Sequence, residues 1–138
     1  MYLLDTNIIS ALRVRTEKVY PVWEWAEKQQ ESKMFISILT YYEIEKGIHA
    51  VYRQDQNFAN KLRQWLDQVV MVKFQDNELE LTREIMKVSA YWASHLTKDN
   101  VDILIAGTAL TYNLTLVTRN IKDFQHIDGL KLMNPWEQ

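Results

Sequence analysis

Along this chain of 138 residues, short apolar runs alternate with longer stretches whose apolar positions fall at helical spacing. The first run, Tyr2-Leu3-Leu4, ends on the polar triplet Asp5-Thr6-Asn7, and Ile8-Ile9-Ser10-Ala11-Leu12 then reads as a helix. From Glu17 to Glu31, Val19, Val22, Trp23, Trp25 and Ala26 keep near-helical spacing, with Pro21 where a first turn accommodates it. Lys33 to Ser37 predicts a second strand. Ser37 or Thr40 can cap a following helix that carries Tyr42, Ile44, Gly47, Ile48 and Val51. Gln56 to Gln68 places Phe58, Leu62, Trp65 and Leu66 on one helical face. The β-branched run Val69 to Phe74 predicts a strand. Asn77 to Leu96 and Thr97 to Tyr112 are predicted as two long helices, the second with the small run Ala106-Gly107-Thr108-Ala109 for close packing on a sheet. Leu114 to Thr118 predicts a buried strand, Arg119 to Phe124 a turn, and Leu130 to Asn134 a last strand closed by Pro135.

Strands that alternate with helices imply a parallel sheet with right-handed crossovers. The expected fold is an α/β sandwich around a central parallel sheet of about five strands. No repeat, low-complexity tract or linker interrupts it, so residues 1–138 are expected to form a single domain. There is no cysteine, which excludes disulfides and thiolate metal sites. No apolar run approaches the length of a membrane span. The N-terminus shows no positive n-region and no cleavage site of a leader, so a cytoplasmic location is expected. A net charge of −2 argues against tight nucleic-acid binding through a broad basic surface, while leaving room for a few local cations around an acidic site.

The candidate chemistry lies in four acids. Each has an ordinary structural explanation: Asp5 or Asn7 can cap the first helix, and Thr40-Tyr41-Tyr42-Glu43 fits a capping box. Asp102 falls in a helical first turn, and Asp123 can close a turn through its own backbone. Their places in the order of elements change that picture. Asp5 follows the first strand, Glu43 lies in the helix after the second, Asp102 opens the helix that leads to the buried strand ending at Thr118, and Asp123 follows that strand. Parallel sheets bind ligands outside the carboxyl ends of their strands. A cap contributes about 1 kcal/mol, whereas two carboxylates about 4 Å apart repel by roughly 4 kcal/mol at a surface-like dielectric. A bound cation offsets such repulsion. Oxygen ligands without His or Cys suit Mg²⁺ or Mn²⁺, the ions of phosphoryl transfer.

With these residues in view, the chain resembles the PIN-domain family, and within it the VapC-type toxins of bacterial toxin–antitoxin pairs. The resemblance rests on Tyr2-Leu3-Leu4-Asp5-Thr6-Asn7-Ile8-Ile9-Ser10, the Ile36 to Glu43 region, Asp102-Ile103-Leu104-Ile105-Ala106-Gly107-Thr108-Ala109, Leu116 to Phe124, and the ending Leu132-Met133-Asn134-Pro135-Trp136. It implies a PIN-like α/β/α sandwich and a Mg²⁺- or Mn²⁺-dependent endoribonuclease toxin that leaves a 5′-phosphate and a 3′-hydroxyl. It also implies a homodimer and a small antitoxin partner that covers or enters the site. The family's acidic positions map onto Asp5, Glu43, Asp102 and the Asn120–Asp123 turn. Because relatives place the fourth acid at either end of that turn, Asp123 is assigned here as the fourth carboxylate and Asn120 as a neutral ligand or organiser. Asp5, Asp102 and Asp123 are the expected metal ligands, with Glu43 acting directly or through water. Thr6, Asn7 and Thr118 are expected to support them, and Asp99 is expected to be a helix cap.

Arg13, Arg15, Arg119 and Lys122 lie near the expected site and are candidates for RNA phosphates. Lys18 shares their loop. Trp23 and Trp25 cannot both face one side of a helix, which makes one of them a candidate interface residue. His49, His95 and His126 show no ligand spacing. Other chemistries fit worse: Asp5-Thr6-Asn7-Ile8 lacks the glycine-rich turn of a dinucleotide site, no Gly-Lys-Ser/Thr loop exists, and Asn7 stands where a haloacid-dehalogenase-like phosphatase needs a second aspartate. The non-catalytic alternative is a PIN-like module that binds RNA or a partner without turnover.

Overall fold

The computed structural model describes residues 1–137. Five strands form one parallel sheet: β1 (Tyr2–Leu4), β2 (Met34–Ser37), β3 (Glu78–Leu79), β4 (Thr115–Val117) and β5 (Lys131–Met133), in the order β3-β2-β1-β4-β5. The helices are α1 (Thr6–Ala11), α2 (Tyr20–Glu27), α3 (Ile38–Tyr52), α4 (Gln56–Trp65), α5 (Met71–Lys73), α6 (Arg83–His95) and α7 (Asn100–Tyr112). The chain winds outward from β1 through β2 to β3, then returns by way of α6 and α7 to β4 on the other flank of β1. The strand order therefore reverses at the β1–β4 pair, and crevices for ligands open at such switch points.

β1 occupies the centre because it can be buried on both faces. Leu3 and Leu4 point to opposite sides of the sheet, as successive strand residues must, and both are buried. Leu4 packs with Ile8, Ile9, Val22, Met34, Ile36 and Val117 in the layer under α1 to α5. Leu3 packs with Ile105, Ala106, Ala109, Leu116 and Phe124 in the layer beneath α7. The small run in α7 lets α6 approach closely. At Gly107, a Cβ would lie 2.0 Å from Ser89 Oγ and 3.3 Å from the Ile85 carbonyl oxygen, so a side chain there requires the Ser89 hydroxyl to turn away and α6 to give by a few tenths of an ångström. Asn113, at φ 53°, ends α7 in the left-handed conformation and turns the chain directly into β4.

Two expected elements differ. Val69 to Phe74 is helical: a π-helical turn, Leu66–Val70, continues α4 into α5. The buried residues there are Leu66, Val70 and Phe74, four apart, whereas Val69 and Val72 are 53% and 58% exposed. A fourfold spacing of buried positions outweighs the β-propensity of the valines. The third strand is instead Glu78–Leu79, paired parallel to β2, within the segment expected to begin a helix. α6 begins only at Arg83, where the Thr82 side chain accepts the Ile85 amide at 3.2 Å. Pro21 does lie in the first turn of α2. Of the tryptophans on α2, Trp25 is buried edge-to-face against Tyr2 at 5.1 Å. Trp23 is half-buried and donates to the Ala11 carbonyl at 3.1 Å.

Candidate active site

At the carboxyl end of β1 the sheet hydrogen bonding continues one residue further, with the Asp5 amide donating to the Val117 carbonyl at 2.9 Å. The Asp5 side chain is thereby carried to the rim of the sheet yet stays only 5% exposed. Its oxygens are used methodically. Oδ1 accepts the Thr6 amide at 2.8 Å, which caps α1, and Oδ2 accepts Thr118 Oγ1 at 2.8 Å and Asn7 Nδ2 at 3.3 Å. Three donors fill three of the roughly four acceptor positions of a carboxylate. The capping explanation of Asp5 is thus correct and incomplete, since a cap needs only one of those bonds.

Thr118 is fully buried at the end of β4 and also accepts the Asn120 amide at 3.1 Å. Asn7 reaches across to accept the Arg119 amide at 3.2 Å through Oδ1. Buried Asn134, after β5, donates to the Arg119 carbonyl at 3.2 Å. The turn after β4 is therefore fastened to both neighbouring strand ends. Asn134 was legible in the sequence only as the end of a strand.

From the other flank, Ser37 caps α3 by accepting the Leu39 amide at 3.0 Å. That cap assigns the start of α3 and leaves Thr40 and Glu43 free of capping work. The alternative reading of Thr40-Tyr41-Tyr42-Glu43 as a capping box does not hold. Instead Thr6 Oγ1 donates to Glu43 Oε1 at 2.6 Å and lies 3.1 Å from Thr40 Oγ1. Thr6 thus bridges α1 to α3 and aims Glu43 at the cleft.

A cleft of about 390 Å³ opens here, lined by Asp5, Thr6, Asn7, Ser10, Glu43, Asp102 and Asn120. Asp102 stands in the first turn of α7, behind the cap formed by Asp99, which accepts the Val101 amide at 2.8 Å. Asp102 has no hydrogen-bond partner among the described residues. Asp123 lies at the rim in the short turn Ile121–Asp123 and forms an ion pair with Lys98 at 3.7 Å.

The acids sense one another. Burial pushes the Asp5 carboxyl above its usual range, opposed by the Thr118, Thr6 and Asn7 hydrogen bonds and reinforced by Asp123. Burial raises Glu43 as well, against the bond from Thr6, with Asp5 and Asp99 adding repulsion and Lys46 relieving it. Asp102 is pushed up to about 6, first by burial and then by Asp5, Asp99, Glu43 and Asp123. Such a cluster is short of positive charge, and its donors are all oxygen, the chemistry that Mg²⁺ and Mn²⁺ accept. Among the described residues no three acids or histidines close tightly enough around one point to hold an ion unaided.

The four candidate RNA-binding cations separate. Arg13 lies over the Phe58 ring at 5.3 Å. Arg15 pairs with Glu27 at 2.9 Å, with Tyr20 and Trp23 against its guanidinium at 5.6 Å each, so it is committed to the α2 side. Arg119 stacks on Trp136 at 4.6 Å, and Lys122 is exposed beside Asp123. Lys98, unremarked in the sequence, forms an ion pair with Asp123 that the structure adds to the relief Lys46 gives Glu43.

The PIN domain family model matches residues 2–130. The chain belongs to the PIN-domain family. The ribonuclease VapC1 of Haemophilus influenzae (strain R2866) is 30% identical over 140 residues, covering 95% of each chain. Among solved structures, FitAcB from Neisseria gonorrhoeae aligns over 100% of both chains at 26% identity with a TM-score of 0.86. A toxin–antitoxin complex from Klebsiella pneumoniae aligns over 100% of both chains at 26% identity and TM-score 0.68. In this PIN domain three acids, Asp5, Glu43 and Asp102, line one cleft at the β1–β4 switch point.

Proposed function

We propose that the protein is a Mg²⁺- or Mn²⁺-dependent endoribonuclease, the toxin of a type II toxin–antitoxin pair. The observation that carries this is the cleft in which Asp5, Glu43 and Asp102 face one another, with Asp123 at its rim, around a carboxylate already fixed by three donors. Asp5, Asp102 and Asp123 would hold the ion, with Glu43 reaching it directly or through water and Asn120 as a neutral neighbour. Bound there, the ion would acidify a water and stabilise charge on the phosphodiester. The chain's own residues do the placing. Thr118, Asn7 and the Thr6 amide fix both oxygens of Asp5, and Thr6 fixes one oxygen of Glu43 while its other stays available to orient a water. Asp102, without a competing donor, retains all its acceptor capacity for the cation.

The relatives support the biological reading: one is a ribonuclease and another forms a toxin–antitoxin complex. An antitoxin has an apolar foothold in a second cavity, of about 300 Å³, lined by Leu12, Trp23, Trp65, Val69 and Phe74 among others. Exposed Met86 and Tyr91 on α6 support a homodimer. No helix among the described residues is long and apolar enough to cross a membrane.

The test is cleavage of a mixed tRNA and rRNA pool by the wild type and by Asp5→Asn, with Mn²⁺, with Mg²⁺ and with chelator. Cutting should require the metal and fall by at least about a hundredfold in the variant, the scale of losing one preorganised electrostatic group, with its circular dichroism unchanged. Wild-type cutting by Asp5→Asn would overturn the assignment. Metal binding without cutting would favour the binding module.

A further inference from the structure

Lys98 is the only lysine or arginine among the described residues within 4.0 Å of a carboxylate of the four acids Asp5, Glu43, Asp102 and Asp123, and it pairs with Asp123. Its position is built with unequal freedom. The backbone is held from the next residue, where the Asp99 side chain caps α7 and thereby also sets Asp102. The side chain is loosely engaged: Nζ lies 3.7 Å from Asp123 Oδ1, beyond hydrogen-bond reach, and the two side chains are 34% and 45% exposed. An ion pair of this kind contributes little stability and exchanges partners readily. It also stands where two demands meet, since Asp123 is an expected ligand of the cation and a phosphodiester approaching the cleft needs a positive group at the rim.

We propose that Lys98 is a positioning residue that exchanges partners. Without a divalent ion its ammonium neutralises Asp123. When the ion takes Asp123, Lys98 is released to hold a phosphate of single-stranded RNA beside the reacting bond. This rests on the metal-dependent ribonuclease reading above, and it gives Lys98 opposite effects on two ligands. A lysine that merely propped up the fold would not act in opposite directions.

The test is Lys98→Met, with Lys98→Arg as the charge-preserving variant and Lys33→Met as the control for net charge. Lys33 is exposed and precedes β2, at the opposite end of the strands from the cleft. Mn²⁺ affinity is measured by calorimetry. RNA affinity is measured by anisotropy of a short labelled oligoribonucleotide of mixed sequence, with Ca²⁺ in place of Mn²⁺ to prevent turnover. Removal of the competing ammonium should tighten Mn²⁺ binding by about threefold to fivefold, the range of an exposed ion pair. RNA binding should weaken, and the slope of log affinity against log salt should shrink by about 0.7, the signature of one lost phosphate contact on a single strand. Lys98→Arg should restore the slope, and Lys33→Met should move neither quantity. Unchanged Mn²⁺ affinity or an unchanged salt slope in Lys98→Met, with a wild type that binds Mn²⁺, would overturn the role of Lys98 alone. A wild type that binds no Mn²⁺ would instead bring down the metal reading of the cleft, and the exchange with it.

Discussion

The two walls of the acidic cleft are built on different plans. On the β1–β4 wall, Asp5 is buried and held by Thr6, Asn7 and Thr118, and the following turn is tied down by Asn7 and Asn134. On the other wall, made by the start of α7 and the short turn Ile121–Asp123, Asp102 has no hydrogen-bond partner among the described residues, and Asp123 has only the distant ammonium of Lys98. The first wall fixes an oxygen position before any ligand arrives, as electrostatic preorganisation requires. The second keeps its acceptors free at the cost of repulsion between carboxylates. A site of the proposed kind, which takes up a hydrated ion and then releases product, needs both.

The contrast is broken most strongly at Thr118. Thr118→Val keeps the shape of the side chain but removes a buried donor to Asp5 and the acceptor of the Asn120 amide. Loss of a buried hydrogen bond to an ionisable group costs roughly 1.5–3 kcal/mol. Urea unfolding of the metal-free protein should show a loss of about 2–3 kcal/mol by that measure, with Mn²⁺ affinity falling as well. Wild-type stability and metal affinity would mean that the β1–β4 wall is not preorganised by its hydrogen bonds.

The legibility of the two walls from sequence also differs, for a physical reason. Asp5, Thr6, Asn7 and Thr118 sit at strand ends, and strand ends in an alternating α/β pattern can be placed from periodicity alone. Asp102 and Asp99 are equally legible as the start of α7. Glu43 falls in the helix after the second strand as its place in the sequence implies, while the cap of that helix stays open, because Ser37 and Thr40 are both plausible caps three residues apart and only packing selects Ser37. Val69 to Phe74 misled because β-propensity was weighed without knowing that Leu66, Val70 and Phe74 share a buried face. Lys98 had no signal. Its partner lies 25 positions along the chain, across a helix and a strand, and no local pattern encodes such a pairing.

Asp102 tests the opposite wall. Its carboxyl is raised from 3.8 to about 6, so the folded state holds a proton that the unfolded chain has already lost between those values. The group's contribution to stability is therefore fully present below pH 3.8 and is lost as pH rises through about 6. For a sequestered group the difference would be about 3 kcal/mol; solvent screening of a half-exposed side chain reduces it to about 1 kcal/mol. Asp102→Asn should be more stable than the metal-free wild type by about that amount at pH 7.5, and equal to it near pH 3.5, while losing Mn²⁺ binding. A variant less stable than wild type at pH 7.5 would show that Asp102 holds the fold together and is no free acceptor.

The smallest effect is expected at Asn120, which is exposed and lines the cleft beside the acids. Asn120→Asp keeps the shape and the backbone bond to Thr118 while adding a like charge to the cleft that Asp5, Glu43 and Asp102 line. In the metal-free protein the added repulsion should cost about 0.5 kcal/mol, the scale of a surface charge pair. With saturating Mn²⁺ the sign should reverse, because a fifth carboxylate can share in holding the ion and binding to the native state adds stability. The quantity to follow is the gain in unfolding temperature on adding Mn²⁺, which should be larger in Asn120→Asp than in the wild type. An equal gain would place Asn120 outside the ion's reach and leave Asp123, drawn away from Lys98, as the acid that completes the weaker wall.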